Sequence, residues 1–313
     1  MHTETKLAAA PLVSIVLCTY NGEKFLQPQL DSLENQTYQN IEVICSDNNS
    51  SDSTPVLLKD WCTKNNNRFF VSCTDKGLNK NFFSAIKYAN GQYILFCDQD
   101  DIWHENKVEE LINFHKINKE ASMVYCRSKA FADTVPTDFY FNFRQHPLEG
   151  NQIKKTLLSS FTLGHNICIK KEILNQIPVP GNEVIAFDWW ITVSAMCLSE
   201  IKCLPKVRTL WRHHTSNTTI DLRKGLVYKS RIGYLKQFLT NPLINTEDKK
   251  WIAIAIQKHE ELDRKDFSFS LFWFLLKNAS VIYFYKTKKN PLLKWISFTK
   301  WAMRQSRRNY SVE

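Results

Sequence analysis

Asp98, Asp100 and Asp101 put three carboxylates into four consecutive positions, directly after the apolar run QYILFC at 92–97. Like charges this close repel, and the repulsion is costly unless solvent or a cation relieves it. A hard divalent ion, which accepts carboxylate oxygens and keeps positions open for phosphate, would do so. The plainer explanation is a solvated acidic turn capping the helix that begins near Glu105, because an Asp-x-Asp pair alone is frequent by chance. Its place between an apolar strand and Ile102–Trp103 lifts the metal-binding explanation above that background. Asp188 is a second candidate, the only acidic residue between Glu183 and Glu200, flanked by Phe187, Trp189 and Trp190. Apolar neighbours raise a carboxyl pKa toward neutrality, as a general base requires. An Asp facing the dipole in the first turn of a helix is the structural alternative. His213 and His214, in WRHH, are either a metal-binding pair or surface histidines beside Arg212.

These groups need elements that bring them together. LVSIVLC (12–18), IEVICS (41–46), RFFVSC (68–73) and QYILFC (92–97) are short apolar runs that read as strands. Helical patterns lie between them. The first carries Phe25, Leu26, Leu30 and Leu33 on one side, with Pro28 acceptable only in a first turn; another spans NFFSAIKYA at 81–89. DNNSSDST after the second strand is a turn-and-cap cluster. Strands alternating with helices imply a parallel sheet covered on both faces. In such sheets ligands bind beyond the carboxyl ends of the strands. The polar clusters TYNG, DNNSSD and DQDD all follow strand ends, so they are expected to converge on one crevice.

The ordered series SIVLCTYNG, SDNNSSDST, CDQDDIW, AFDWW (186–190) and LWRHHTSN (210–217) resembles family 2 glycosyltransferases of the GT-A fold, in their rhamnosyltransferase-like branch. The resemblance covers roughly residues 11–220, and the order of its motifs is more specific than any one of them. It implies an α/β, Rossmann-like fold with a mostly parallel central sheet and helices on both faces. By resemblance, Thr19, Tyr20, Asn21 and Glu23 form the loop that holds base and ribose, Asp47 reads the pyrimidine edge, and Asn81 joins the donor-binding set. Asp98 contacts the ribose and, with Asp100, chelates the metal; His214 completes that site, although His213 competes for the role. Asp188 is the implied catalytic base, and Gly164, His165, Trp189 and Trp190 line the acceptor side. One of the two tryptophans is expected to anchor the core and the other to stack on a sugar ring. Trp211 and His213 depart from the branch's usual Tyr and Gln, and Asn48 and Asn49 from its usual acidic residue and Gly.

Composition supports a folded protein: 43% hydrophobic and 23% charged residues, with nine cysteines in no close pair. An odd number of cysteines, several within apolar runs, points to a reducing, cytoplasmic setting. The start MHTETKLAAAPLVSIVLCTY reads as a lead into a strand and not as a secretory signal. No run reaches the length of a membrane span. Charge divides the chain: residues 1–222 carry 22 Lys and Arg against 24 Asp and Glu, whereas 223–313 carry 19 against 7. The expected organisation is a catalytic domain over 1–222, with a nucleotide-sugar half at about 11–103 and an acceptor half at about 104–222. A basic, aromatic-rich helical region over 223–313 follows. Basic residues among aromatics suit an anionic membrane surface, and they also suit single-stranded nucleic acid.

The resulting expectation is an inverting, Mg2+- or Mn2+-dependent glycosyltransferase using a UDP- or dTDP-linked sugar. Its acceptor would be a hydroxyl of a glycan or lipid-linked glycan in bacterial surface polysaccharide or lipopolysaccharide synthesis, and it would sit peripherally on the inner face of the cytoplasmic membrane. A sugar nucleotidyltransferase is the enzymatic rival, but TYNGEKF lacks the Gly and cations that cradle a triphosphate. The rival outside enzymes is a nucleic-acid-binding protein that uses the basic region, and a catalytically inactive scaffold is a third.

Overall fold

The computed structural model describes residues 10–143, 145–181, 185–215, 227–285 and 290–308. Eight strands form one sheet: β1 (Val13–Thr19), β2 (Ile41–Asp47), β3 (Arg68–Ser72), β4 (Tyr93–Asp98), β5 (Ile102–Trp103), β6 (Met123–Phe131), β7 (Ile167–Lys170) and β8 (Ile201–Arg212), in the order β3-β2-β1-β4-β7-β6-β8-β5. The first four strands pair in parallel through β1, as the alternating pattern predicts. The second half is mixed: β7 runs antiparallel to both β4 and β6, β8 is parallel to β6, and β5 is antiparallel to β8.

Period-2 alternation assigns the strand side chains to two cores. Ile15 and Leu17 face helices α1 (Glu23–Glu34), α2 (Thr54–Thr63) and α4 (Lys107–Ile117) through Leu26, Leu30, Leu58, Trp61 and Leu111. Val16, Ile94 and Phe96 face the other way, toward α3 (Leu78–Ile86) and α6 (Phe187–Leu198). Between α4 and α6 lies the short α5 (Lys171–Leu174). The C-terminal helices are α7 (Val227–Leu239), α8 (Thr246–Glu260), α9 (Phe269–Lys277), α10 (Ala279–Ile282) and α11 (Pro291–Gln305). They share the second core through Phe238, Ile252, Leu271, Leu275 and Ala302. The division expected at residue 222 lies outside the described residues. Among those residues no helix is long and apolar enough to cross a membrane.

Pro28 falls beyond the first turn of α1, contrary to expectation. The Lys24 carbonyl thereby loses its intrahelical donor, and because Pro28 is on the exposed side of the helix, water can serve that carbonyl instead. Phe25, expected on the buried face, is only half-buried and points elsewhere, as described below.

Candidate active site

Parallel strands that end side by side bring three loops together at the carboxyl edge of β1, β2 and β4. Asn21 takes φ of 47° and Asn49 of 61°, a left-handed conformation that Asn tolerates, and each turns its loop sharply. Side chains then tie the first two loops together. Ser50 donates through Oγ to Asp47 Oδ1 at 2.6 Å and accepts from Asn21 N–H at 2.8 Å. Asn21 Oδ1 accepts from Ser51 N–H at 2.8 Å, and Glu23 Oε2 from Ser53 N–H at 2.8 Å. Asp47 is buried and also accepts from Thr19 Oγ1 at 2.9 Å. Asn81 is buried beneath this edge, donating to the Thr19 and Ser46 carbonyls and accepting from Ser46 Oγ. It braces the strand ends from below. Asn48 does the same for the loop after β3, bonding the Cys73 and Asp75 carbonyls and Gly77 N–H. Tyr20 stands exposed at the rim.

Gln99, the middle residue of Asp98-Gln99-Asp100, fastens the first loop to the acidic one. Its Oε1 accepts from Tyr20 N–H at 2.8 Å and its Nε2 donates to the Tyr20 carbonyl at 3.0 Å. A Cβ on Gly22 would collide with the Gln99 amide, so this clasp needs glycine there.

The three carboxylates sit at different depths. Asp98 retains 36% side-chain exposure, Asp100 is at 12% and Asp101 is fully buried. Each has a histidine within reach. His165 Nδ1 lies 2.8 Å from Asp101 Oδ2 and 3.1 Å from Asp98 Oδ2, whereas His214 Nε2 lies 2.7 Å from Asp100 Oδ2. His213 is exposed and packs edge-on against Trp211, so His214 is the histidine of this pair that meets the acidic cluster. Phe25 stacks on His214, with ring centroids 4.4 Å apart. Arg212, at the end of β8, donates through N–H to Asp101 Oδ1 at 3.1 Å and through Nε to the Asp100 carbonyl at 3.0 Å. Burial, and then the charges of Asp101 and Asp98, push the Asp100 carboxyl up to about 8. Burial alone would depress His165, but Asp101 and Asp98 outweigh it and hold the imidazole at about 9. One oxygen from each of Asp98 and Asp101 and one nitrogen of His165 lie within 4.8 Å of one another, a spacing able to hold a metal ion.

Behind this cluster Lys107 is fully buried, its Nζ donating to the His165 carbonyl at 2.6 Å and Thr209 Oγ1 at 2.9 Å and lying over the Trp103 ring. Burial lowers its pKa to about 8. It is the internal counter-charge of the acidic turn.

Asp188 opens α6. Its Oδ2 accepts from Gly164 N–H at 2.9 Å and its Oδ1 from its neighbour Trp189 N–H at 2.7 Å. Burial raises its carboxyl to about 6, against the two backbone donors and with a contribution from Asp98. A Cβ on Gly164 would meet Phe187 Cζ at 2.6 Å, so glycine lets that backbone reach Asp188. Both tryptophans are buried, Trp189 at 6% and Trp190 at 1% exposure. Their indole N–H groups donate to the Thr156 and Pro178 carbonyls. The expectation that one ring stays open for a sugar is therefore corrected: Tyr234 and Phe238 of α7 cover Trp189, and Phe238 stacks on Trp190.

Four contributors escaped sequence reasoning. Gln99 is the unconstrained middle of a short motif, Lys107 lies on an ordinary helical face, and Phe25 mimics a core position. Asp101 was visible as a third carboxylate, but nothing in the spacing pairs it with His165.

An α/β sheet with polar loops gathered at its carboxyl edge forms the crevice in which such sheets bind ligands, and comparison with known proteins gives the class. Residues 14–177 match Glycosyl transferase family 2, and the chain belongs to that family. It is a glycosyltransferase with the GT-A fold. It is 25% identical over 249 residues to the Escherichia coli UDP-Glc:alpha-D-GlcNAc-diphosphoundecaprenol beta-1,3-glucosyltransferase WfgD, covering 79% of this chain and 95% of that one. Rickettsia prowazekii has an uncharacterised glycosyltransferase, RP339, that is 31% identical over 118 residues; the match covers 37% of this chain and 36% of the relative. Among solved structures, S. aureus TarS residues 1–349 with UDP-GlcNAc superimposes with a TM-score of 0.61 at 18% identity, covering 94% of this chain and 81% of that one. The Pyrobaculum calidifontis mannosyltransferase PcManGT, in complex with GDP-Man and Mn2+, gives 0.58 at 17% identity, covering 95% and 85%.

Proposed function

We propose that this glycosyltransferase transfers a sugar, with inversion, from a pyrimidine nucleoside diphosphate to a hydroxyl of a lipid-linked glycan acceptor, working peripherally at the inner face of a bacterial cytoplasmic membrane. A single observation carries the mechanism. The segment Gly164–Asn166 supplies the N–H that holds Asp188 and, one residue later, the imidazole that meets Asp98. The proposed base and the proposed donor site are thus joined by adjacent residues.

On this reading the nucleotide lies over the β1 and β2 loops. Asp47 has one lone pair to spare, on Oδ2, beyond its bonds from Thr19 and Ser50, and it accepts the N3–H of a uracil or thymine. Tyr20 packs against the base, and Asn21 and Glu23 fix the loop that carries it. Asp98 reaches the ribose. The carboxylate-rich donor set suits a hard divalent ion, and such an ion would favour the ionised form of the Asp100 carboxyl that burial, and then the charges of Asp101 and Asp98, force up to about 8. Asp98, Asp100 and His214 would hold Mg2+ or Mn2+. We prefer them to the fully buried Asp101 and His165, which have no open side for phosphate; His165, held by Asp101, orients Asp98 from behind. When bound, that ion neutralises the diphosphate and makes it a competent leaving group.

Asp188 takes the acceptor proton. With a pKa near 6 it is mostly ionised at neutral pH yet basic enough to accept a proton during attack. Two backbone donors fix its orientation. One base and one displacement invert the anomeric centre. The name of the WfgD relative specifies a UDP-glucose donor and a diphosphoundecaprenol-linked acceptor, which supports a donor and acceptor of these classes here.

The test is calorimetric titration of UDP and dTDP with and without Mn2+. Metal-dependent binding should be lost in Asp100→Ala and kept in Asp188→Asn, while Asp188→Asn reduces transfer to a residual level. Binding that ignores both the metal and Asp100 would sink the reading.

A further inference from the structure

Helices α9 and α11 pack side by side, joined where Ser268 N–H donates to the Ser306 carbonyl at 3.1 Å and Arg308 N–H to the Asp266 carbonyl at 2.9 Å. Their inner sides enter the core through Leu271, Leu275 and Ala302. Their outer sides are not polar. Phe269 is 73% exposed and Trp273, one turn later, 56%, with exposed Lys277 a turn further. The whole first turn of α11 stands out from the fold, with Leu292 at 65%, Leu293 at 50% and Trp295 at 57% around exposed Lys294. That turn is built: Asn290 caps it, accepting from Leu292 and Leu293 N–H. Two exposed tryptophans with leucines and a phenylalanine on neighbouring helices are more than scattered surface apolar residues.

Charge selects the occupant. The described residues from 264 to 308 hold eight Lys and Arg against one Asp. A second copy would bring the same positive face against this one and meet repulsion. Single-stranded nucleic acid would use the tryptophans but leave Leu292 and Leu293 without a partner, since stacking needs rings. An anionic bilayer satisfies both halves: indoles and leucines enter the boundary between headgroups and acyl chains, and ammonium groups stay at headgroup level.

We infer that the outer face of α9 and the first turn of α11 is the surface by which the enzyme docks on an anionic lipid bilayer. The docked face is linked to the site. Phe284 and Tyr285, between α10 and α11, each lie 5.1 Å from Phe161, three residues before the Gly164 that holds Asp188. Tyr283 packs on both Tyr285 and Trp301 of α11, so the docking helices and the acceptor side of the crevice are connected through a series of aromatic contacts. Only this last link rests on the transferase reading proposed above.

The full chain is tested by sedimentation with vesicles of phosphatidylcholine containing phosphatidylglycerol and with pure phosphatidylcholine vesicles. The double variant Leu292→Ser/Trp295→Ser and the single variant Lys294→Glu are run alongside, with thermal melts to show that folding is kept. Wild type should bind the anionic vesicles, more weakly at high salt. The double variant should bind at least about ten-fold more weakly, and both variants should keep wild-type binding of UDP with Mn2+. Equal vesicle binding by wild type and double variant, or none by wild type, overturns the docking face. So does dimerisation that Trp295→Ser abolishes, or tighter binding of a single-stranded oligonucleotide than of anionic vesicles. Because the nucleotide titration is independent of lipid, loss of UDP binding in wild type would count against the transferase reading and leave the docking result standing.

Discussion

Gly164 N–H donates to Asp188 Oδ2 at 2.9 Å while the ring of Phe187 occupies the space where a Gly164 side chain would be. The base is thus aimed by a backbone that only glycine allows so close. Gly164→Ala should lower kcat by about 10- to 100-fold, as a displaced catalytic group does, with the affinity for UDP nearly unchanged. Steady-state kinetics beside nucleotide titration separates the two. A variant with normal kcat would show that Asp188 needs no such support.

The two-point clasp of Gln99 on Tyr20 predicts a different signature. Gln99→Ala removes both solvent-exposed hydrogen bonds of a half-buried side chain outside the apolar cores, so the fold should survive. The first loop loses its link to the acidic turn, and UDP should bind about ten-fold more weakly, the cost of one or two such bonds. Gln99→Glu keeps the acceptor for Tyr20 N–H and loses the donor, adding a fourth carboxylate to the turn. In the absence of metal it should bind UDP more weakly still.

Much of this was legible in the sequence, for identifiable reasons. The parallel half of the sheet shows because buried strands such as VSIVLCT are apolar without interruption and their loops are polar. The antiparallel insertion of β7 between β4 and β6 does not show, since a four-residue strand carries no direction in its pattern. Asp98, Asp100, Asp188 and His214 stand out because unusual residue types meet at strand and helix ends. Lys107 and Gln99 do not, because their roles arise from contacts with residues 58 and 79 positions away. The burial of both Trp189 and Trp190 does not show, because a sequence cannot reveal which side of α6 another helix will cover.

The pH dependence follows from Asp188. A base must be ionised to act, so kcat/KM should fall as pH drops through about 6, where burial has placed its carboxyl. A bound divalent ion near Asp98 favours the ionised form and should move this limb to lower pH. A profile measured with Mn2+ and soluble acceptor should show one proton taken up on the acid side, and Asp188→Asn should leave only residual, pH-flat activity. An acid limb that persists in Asp188→Asn would assign it to another group.

Stability should respond to acid separately from activity. His115 and His259 are both buried, and burial holds each imidazole down to about 4, with Arg231 adding to the effect at His259. A base whose pKa is lower in the folded state than in the unfolded chain gives up stability when the unfolded form captures the proton. The contribution is therefore complete above about pH 6.5, the unfolded value, and is lost progressively as pH falls toward about 4. At about 1.4 kcal/mol per pH unit, each histidine removes on the order of 3 kcal/mol across that window. Asp100, Asp188 and His165, whose pKa values are raised in the fold, act in the opposite direction over the same range. The histidine contribution is therefore read by comparing urea midpoints at pH 7 and pH 5 between wild type and a variant. Between pH 7 and pH 5 the midpoint of His259→Leu should fall less, or rise more, than that of wild type, because one group that loses stability in acid is gone, although the lost bond from the ring to the Ala255 carbonyl will lower stability at pH 7. A pH 7 to pH 5 difference identical in wild type and His259→Leu would show that this histidine does not drive the acid response.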